Sequence, residues 1–250
     1  MMLENYVAVD LEMTGLNARR DSILEIGAVR VKNKEVEEVY EAMIRPQGKL
    51  SQEVTQLTGI TDEMALLGRG MDEVFAEFVE FCGNEVLLGH NVVFDYGFLK
   101  QAAMNRNIAF ERQGIDTLKI ARKLLPPEEK KTLQLLCDRY EIHRKRRHRA
   151  LDDALAARDL YEVFEAAYAA QRPEVFAPFP LAYKTKKQSP ATNRQKTHLQ
   201  KLAEYHQVEL KVCWDTLTKN EASRMIDRII AQYGRVRKTA AAHYRQEDFP

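Results

Sequence analysis

The sequence predicts an α/β fold in which helices flank a mixed β-sheet, followed by a small C-terminal helical module. Two observations predict this fold. Strand-like segments come first and then alternate with helical segments, an order typical of a sheet covered by helices. Beyond a proline-rich stretch, two more helices begin with capping-box patterns. The 250 residues exceed one average domain, and 45% of them are hydrophobic, which is enough for a core.

The first predicted strand lies within residues 6–15, which read YVAVDLEMTG. Because side chains alternate along a strand, Asp10 and Glu12 share one face with Ala8, and the apolar residues between them share the other. Such an apolar run favours a central, buried strand. Two buried carboxylates need positive charge between them, and a divalent cation is the simplest source. From this segment alone, two hydrated acids at an exposed strand end remain the alternative.

The other elements of the body follow from apolar spacing and from the residues that end helices and strands. In chain order, they are strands at 23–31 and 36–44 joined by a hairpin turn at 33–34, helices at 51–57 and around 74–81, a strand at 86–90, and helices around 98–102 and at 118–125, 133–140 and 151–168. Residues 115–117 are too short for a firm assignment.

The C-terminal third divides into three predicted parts. Four of the eight prolines fall between Pro173 and Pro190, so residues 171–190 are predicted to be a linker. Residues 191–235 form the predicted helical module, and residues 236–250 form a basic tail. A module of about 45 residues is marginal as an independent core, so we expect it to dock on another surface or to borrow contacts.

Charge and cysteine content limit the classes of protein to consider. Residues 1–170 have a net charge of −6 and residues 171–250 a net charge of +7, which suggests a metal site joined to a segment that favours polyanions. The three cysteines are far apart in the sequence and indicate neither a disulfide framework nor a zinc site. With no membrane-spanning run and no signal-peptide pattern, we expect a cytoplasmic protein.

Three polar clusters at strand ends or helix starts carry the predicted chemistry. They are D-L-E-M-T-G at residues 10–15, G-H-N-V-V-F-D at residues 89–95, and H-R-A-L-D-D at residues 148–153. Their order and separation resemble the DEDDh exonucleases, the DnaQ-like family of 3′–5′ exonucleases with a ribonuclease-H-like fold. The resemblance extends over residues 5–170, and the last cluster fits the family pattern H-x-A-x-x-D.

The resemblance implies a catalytic set of five residues. Two divalent cations, Mg²⁺ or Mn²⁺, would be bound by Asp10, Glu12, Asp95 and Asp153. His148 would take the proton from the attacking water, a role that suits imidazole because it exchanges protons near neutral pH. In-line attack on a phosphodiester needs an activated water and a stabilised leaving oxygen, and two metals can supply both.

The resemblance also suggests residues that contact the substrate. The positions at which similar enzymes hold or wedge the terminal nucleotide are Thr14, Leu16, Ile60 and Phe94. Asn91 is a further candidate for supporting the site, and ordinary core packing remains an alternative for the apolar residues. Relatives often place a histidine before the Gly-Ile pair, whereas this chain has Thr58, which leaves contact with the terminal sugar open.

Two neighbouring features have competing interpretations. The basic run at residues 143–149 is either a solvated loop or a contact for the substrate backbone, and its place beside His148 favours the backbone contact. Asp152 adjoins Asp153 but points about 100° away on a helix, so we interpret it as an acid favoured by the helix dipole.

We therefore expect a 3′–5′ exonuclease that releases nucleoside 5′-monophosphates from single-stranded or frayed DNA ends. Trimming of RNA is the alternative, because residues 10–15 are also similar to oligoribonuclease, although the segment before Asp95 is more similar to proofreading-type enzymes. The other alternative is a nuclease-fold adaptor that binds a DNA polymerase or another protein through residues 191–235.

Overall fold

The computed structural model describes residues 3–46, 48–146, 148–187, 189–210, 212, 214 and 217–235. The chain divides into two compact units, Met1–Lys187 and Gln188–Pro250. The basic tail expected at residues 236–250, Arg147 of the basic run, and Cys213 lie outside the described residues. Within the described part of the chain, no helix is both long enough and apolar enough to cross a membrane.

The first unit is built on a mixed six-stranded sheet with the order β3-β2-β1-β4-β5-β6. The strands are β1 (Tyr6–Met13), β2 (Ile23–Lys32), β3 (Glu35–Met43), β4 (Leu87–Gly89), β5 (Gln113–Asp116) and β6 (Phe179–Pro180). β1 pairs antiparallel with β2 and parallel with β4, and β4 pairs parallel with β5. The predicted mixed sheet flanked by helices is confirmed.

Seven α-helices accompany the described part of this sheet. They are α1 (Gln52–Thr58), α2 (Asp62–Leu66), α3 (Met71–Cys82), α4 (Val92–Asn105), α5 (Thr117–Leu124), α6 (Leu133–Arg139) and α7 (Ala150–Tyr168). Their ends follow the local sequence: Ser51 and Thr132 accept backbone hydrogen bonds as N-caps, and Gly59 ends α1 in the left-handed conformation that glycine adopts at low cost. The helix α2 is absent from the sequence prediction.

The strand β1 is buried on both faces, as its apolar run predicts. Val7, Val9 and Leu11 belong to the core that includes residues of α3 and α4. Tyr6 and Ala8 belong to the second core, which includes residues of α5, α6 and α7. β1 therefore lies at the centre of the fold, and its carboxyl end carries Asp10 and Glu12.

Part of the proline-rich segment expected to be a linker is ordered within the first unit. Pro173–Phe176 forms a 3₁₀-helix, and β6 adds an edge strand antiparallel to β5. An edge strand tolerates proline because it has no further neighbour to which it must donate. The new strand also explains β5, which sequence alone leaves unassigned: Gly114, Ile115 and Asp116 pair with β4, and Gln113 and Gly114 pair with β6.

The described residues of the second unit contain α8 (Asn193–His206) and α9 (Lys219–Tyr233). Both predicted capping boxes are formed, one by Thr192 with Gln195 and the other by Thr218 with Glu221. The two helices share a small apolar core, to which Leu199, Leu202, Leu217, Ala222, Ile226 and Ile229 contribute.

The first turn of α7 lies directly against β2 at Gly27. A Cβ atom at Gly27 would lie 2.0 Å from the backbone nitrogen of Leu151 and 2.1 Å from the carbonyl carbon of Ala150. Gly27 is also the cross-strand partner of Asp10 on β1. Because both neighbours are backbone atoms, only a residue without a side chain at position 27 allows α7 to begin so close to β2.

We expect Gly27→Ala to lower the free energy of unfolding by at least about 1–3 kcal/mol, the usual cost of overpacking, because α7 must move away from β2. Gly70→Ala is the matched control, since a Cβ atom there would meet nothing within 4 Å. That control should cost about 1 kcal/mol, the usual loss when alanine replaces a better N-cap residue. Urea unfolding of both variants measures the difference, and equal losses would contradict the close approach.

Candidate functional site

Four carboxylates converge at the carboxyl end of β1. Asp10 and Glu12 lie on β1 itself, while Asp95 lies in the first turn of α4, which begins just after the parallel strand β4. Asp153 lies in the first turn of α7, which packs against β1 and β2. Glu12, Asp95 and Asp153 are buried, and Asp10 is partly buried. The topology therefore brings acids from three separate segments to one place.

The pKa values express the electrostatic cost of this convergence. Burial raises the pKa of Asp10 well above the usual aspartate value, and the negative charges of Asp95, Asp153 and Glu12 raise it further. Burial likewise raises the pKa of Glu12 to about 8, with a further contribution from Asp153. Burial also raises the pKa of Asp95 to about 8. The group favours protons or another cation over four free negative charges.

His148 lies at the entrance to this cluster. Glu12, His148 and Asp153 each offer a ligand atom, and the three atoms lie within 4.8 Å of one another. The histidine is exposed and adopts a positive φ of 55°, just before α7 begins. Among the described residues, these three form the group with metal-ligand spacing. Asp10 lies close enough to Glu12, Asp95 and Asp153 for their negative charges to raise its pKa. The five residues predicted to be catalytic are thus brought together.

The basic run expected to be solvated or to contact substrate is partly engaged with acids of the site. Arg144 Nη1 lies 2.6 Å from Asp153 Oδ1, and both side chains are less than a tenth exposed. Arg146 Nε donates to Asp152 Oδ2 at 3.0 Å. Asp152 lies in the first turn of α7, as predicted, but it is also buried and ion-paired. The run therefore supplies positive charge that offsets the carboxylates.

Glu25 is a structural partner of the site that the sequence analysis does not identify. It is only 1% exposed on β2, where it lies opposite Glu12. Arg149 Nε donates to both of its carboxylate oxygens at 3.1 Å, and the Ala150 backbone N–H donates to Oε2 at 3.1 Å. Glu25 thus fixes the start of α7, between His148 and Asp153. A single acid among the apolar residues that begin β2 is the signal that could have indicated this role.

The residues before Asp95 are held by local hydrogen bonds. His90 Nδ1 lies 2.9 Å from Thr117 Oγ1, and its Nε2 lies 2.9 Å from the carbonyl oxygen of Lys131. Burial lowers the pKa of His90, which favours the neutral ring. The Asn91 backbone N–H donates to Asp116 Oδ1 at 2.9 Å, and Asn91 has a φ of 70°. These contacts fix the turn from β4 into α4 and so position Asp95.

Three of the five residues predicted to contact substrate line one open cavity of about 510 Å³. The cavity is lined by Leu16, Asn17, Ala18, Arg19, Asn91, Val93, Phe94, Phe98 and Tyr183. Leu16 is 83% exposed, although it is apolar, so it is available for contact with a ligand. Tyr183 was missed by sequence reasoning because it lies in the segment interpreted as a linker.

The other two predicted substrate residues have structural surroundings. Thr14 Oγ1 accepts a hydrogen bond from the Ser22 backbone N–H at 2.9 Å, which closes the loop after β1. Ile60 is fully buried in a small apolar cluster with Leu24 and Ala65, which is the core packing that the sequence analysis kept as the alternative for the apolar residues. Tertiary packing accounts for Ile60.

Known proteins match this chain over much of the first unit. The sequence model of an exonuclease family, RNase_T, matches residues 7–164. The chain is 36% identical over 157 residues to the DNA polymerase III PolC-type protein of Clostridium perfringens, and the match covers 63% of this chain and 11% of that protein. The chain therefore spans about a tenth of the length of this relative.

Two solved structures share the fold. Exonuclease X in complex with 5′ overhanging duplex DNA has a TM-score of 0.53 at 22% identity, covering 69% of this chain and 99% of that one. Escherichia coli Exonuclease I in complex with a dT13 oligonucleotide has a TM-score of 0.59 at 18% identity, covering 70% and 43%.

The raised pKa values predict a pH-dependent response to metal. When a chelator removes metal, the raised pKa values of Glu12 and Asp95 mean that their protonated forms stabilise the fold. This contribution to the free energy of unfolding is complete below the usual carboxyl pKa and is lost as pH rises through about 8. Bound Mn²⁺ would replace the protons, so it should raise the melting temperature more at about pH 8.5 than at about pH 6. Thermal unfolding with EDTA or Mn²⁺ at both pH values measures this.

Glu12→Gln is the control for that measurement, because it removes one of the titrating groups at nearly constant shape. The pH-dependent loss in EDTA should be smaller in this variant than in the wild type. A wild-type melting temperature that responds equally to Mn²⁺ at both pH values would contradict the electrostatic account of the site.

Proposed function

The chain belongs to the RNase_T exonuclease family, and from that premise we propose that it is a metal-dependent 3′–5′ exonuclease that releases nucleoside 5′-monophosphates from single-stranded or frayed DNA ends. The observation that carries this proposal is the convergence of four carboxylates and an exposed histidine on one site. The choice of DNA is supported by the PolC-type relatives, whose name is that of a DNA polymerase, although this chain spans only a tenth of them.

The donor set fits hard divalent cations. Asp10, Glu12, Asp95 and Asp153 offer only carboxylate oxygens, the ligands that Mg²⁺ and Mn²⁺ prefer. The raised pKa values of Asp10, Glu12 and Asp95 and the ion pair of Arg144 with Asp153 support the same conclusion, because each indicates a demand for positive charge. When bound, two such cations activate water and stabilise the attacking and leaving oxygens of an in-line displacement.

His148 is the proposed general base. Its exposed ring is within reach of the space between Glu12 and Asp153, where it can take the proton of the attacking water. The segment that carries His148 is held against β2, because Glu25 on that strand binds both Arg149 and the first backbone N–H of α7. These hydrogen bonds hold the imidazole in place relative to Asp153, while the exposed side of the ring remains open to substrate.

A direct test uses DNA and RNA strands of matched sequence, labelled at the 5′ end and incubated with and without Mg²⁺. We expect a ladder of strands shortened from the 3′ end, release of nucleoside 5′-monophosphates, and no hydrolysis in excess EDTA. Asp153→Asn should lower the rate at least about 10³-fold, because it removes a cation ligand. Asp152→Asn is the matched control and should retain most of the rate.

The outcomes of this assay separate the alternatives. Faster shortening of RNA than of DNA would identify an exoribonuclease. Hydrolysis in EDTA, stepwise shortening of a strand whose 3′ end is blocked, or full activity of Asp153→Asn would contradict the proposed mechanism.

We expect His148→Ala to lower kcat by about 10²–10⁴-fold, the usual contribution of a positioned general base. Metal binding and the melting temperature should change little by comparison, since the four carboxylates remain. His143→Ala, in the same basic run but further from the carboxylates in sequence, is the control. A pH–rate profile whose acid limb is the same in the wild type and in His148→Ala would show that another group accepts the proton.

The second unit is proposed to bind nucleic acid outside the catalytic cluster. Residues 188–250 contain eleven basic and seven acidic residues, a net charge of +4. Tyr205 and Tyr233 are about half exposed, and their ring centroids lie 4.8 Å and 5.6 Å from that of the His206 ring. Basic charge with exposed aromatic rings is typical of surfaces that bind single strands.

Truncation after Lys187, which leaves the first unit whole, should weaken binding to long single strands. The log–log salt dependence of binding should fall by roughly 0.7 for each lost phosphate contact. Turnover of very short oligonucleotides should stay the same. A truncated protein with the full salt dependence and an unchanged melting temperature would indicate instead that the second unit binds a partner protein, such as a polymerase. The full salt dependence with a lowered melting temperature would indicate that the second unit stabilises the first.

A further inference from the structure

Residues 179–187 are held firmly against the first unit, although the sequence pattern there is typical of a linker. Phe179–Pro180 pairs with β5, and the Leu181 backbone N–H donates to the carbonyl oxygen of Arg112 at 2.9 Å. Gln101 of α4, which is 1% exposed, binds Lys186 in both directions: its Nε2 donates to the carbonyl oxygen at 2.9 Å, and its Oε1 accepts from the backbone N–H at 3.1 Å. The segment therefore has a fixed position on α4.

Tyr183 lies between these two attachments and packs on Gly97 of α4. A Cβ atom at Gly97 would lie 3.0 Å from Cδ2 and 3.1 Å from Cε2 of the tyrosine ring. Arg19, in the loop after β1, donates from Nη2 to the carbonyl oxygen of Lys184 at 2.7 Å. The ring is thus held between α4 and the loop that follows the strand of Asp10 and Glu12.

In this position, Tyr183 completes the wall of the cavity beside the carboxylates. Leu16, Asn91 and Phe94 also line this cavity, and Phe94 directly precedes Asp95. A volume of about 510 Å³ is within the usual range for small-ligand sites, and it exceeds the size of a nucleobase. Aromatic rings are the usual partners of unpaired bases, since every base offers a face for stacking.

We propose that Tyr183 contacts a base at the 3′ end of the substrate strand, so that residues 179–187 complete a nucleobase subsite next to the catalytic cluster. This inference rests on the proposed exonuclease function. It goes beyond the family match, which ends at residue 164, because it assigns a substrate contact to a segment that follows the matched region.

The test measures KM and kcat for the wild type, Tyr183→Ala and Tyr183→Phe in the full chain. The substrates are a DNA strand with all its bases and strands with an abasic site at each of the last three positions. On the intact strand, Tyr183→Ala should raise KM by about 5- to 150-fold, the scale of one base–aromatic stack, with kcat nearly unchanged. Tyr183→Phe keeps the stacking ring and should behave like the wild type.

The abasic strands locate the contact. When the abasic site is at the contacted position, the KM of the wild type should rise about as much as the KM of Tyr183→Ala rises on the intact strand. Tyr183→Ala on that abasic strand should show no further rise in KM. Gly97→Ala provides an independent variant, because its methyl group shifts the ring by a few tenths of an ångström while the tyrosine remains. It should raise KM by less than Tyr183→Ala does, with kcat nearly unchanged.

Two results would overturn the inference. One is an unchanged KM for Tyr183→Ala on every strand. The other is an equal loss on intact and abasic strands together with a lowered kcat and melting temperature, which would mean that the ring only supports the fold. The wild type on the intact strand separates these results from a failure of the proposed function, since absence of turnover there would overturn both.

Discussion

Mutual repulsion among four carboxylates is the constraint on which the rest of the structure depends. Asp10, Glu12, Asp95 and Asp153 come from a central strand and from the first turns of two helices, and none of these elements gains stability from the crowding itself. The apolar cores on the two faces of the sheet supply the packing energy that holds these elements together. The site can therefore bind cations without losing its shape, and bound cations would supply what the proposed phosphodiester hydrolysis needs.

The start of α7 is positioned both by close packing against β2 and by hydrogen bonds to a buried acid. Gly27 allows the helix backbone to touch β2, and Glu25 on the same strand holds Arg149 and the first backbone N–H of the helix. Both residues lie opposite the acids of β1, Gly27 opposite Asp10 and Glu25 opposite Glu12. A buried acid is costly unless it is paired, so Glu25 specifies one position for α7 rather than simply adding stability. The same contacts set the distance from Asp153 to β1.

Much of this could be predicted from sequence, because the signals are local. Alternation along β1, capping residues and the three clusters identify the sheet, most helices and the candidate site. The missing features depend on contacts between distant residues. Glu25 pairs with Arg149, 124 positions away, and residues 179–187 contain prolines that suit an edge strand as well as a linker. Local patterns specify elements, whereas the partners of a side chain follow only from topology.

The most direct measurement of the central claim is anomalous diffraction from crystals of the protein soaked in Mn²⁺. The account predicts two peaks about 3.5–4 Å apart, enclosed by the carboxylates of Asp10, Glu12, Asp95 and Asp153, with Arg144 displaced from Asp153. The same crystals soaked in EDTA should show neither peak. Absence of Mn²⁺ from this cluster at saturating concentration, or its binding only elsewhere on the surface, would contradict the claim that cations balance the charge of the site.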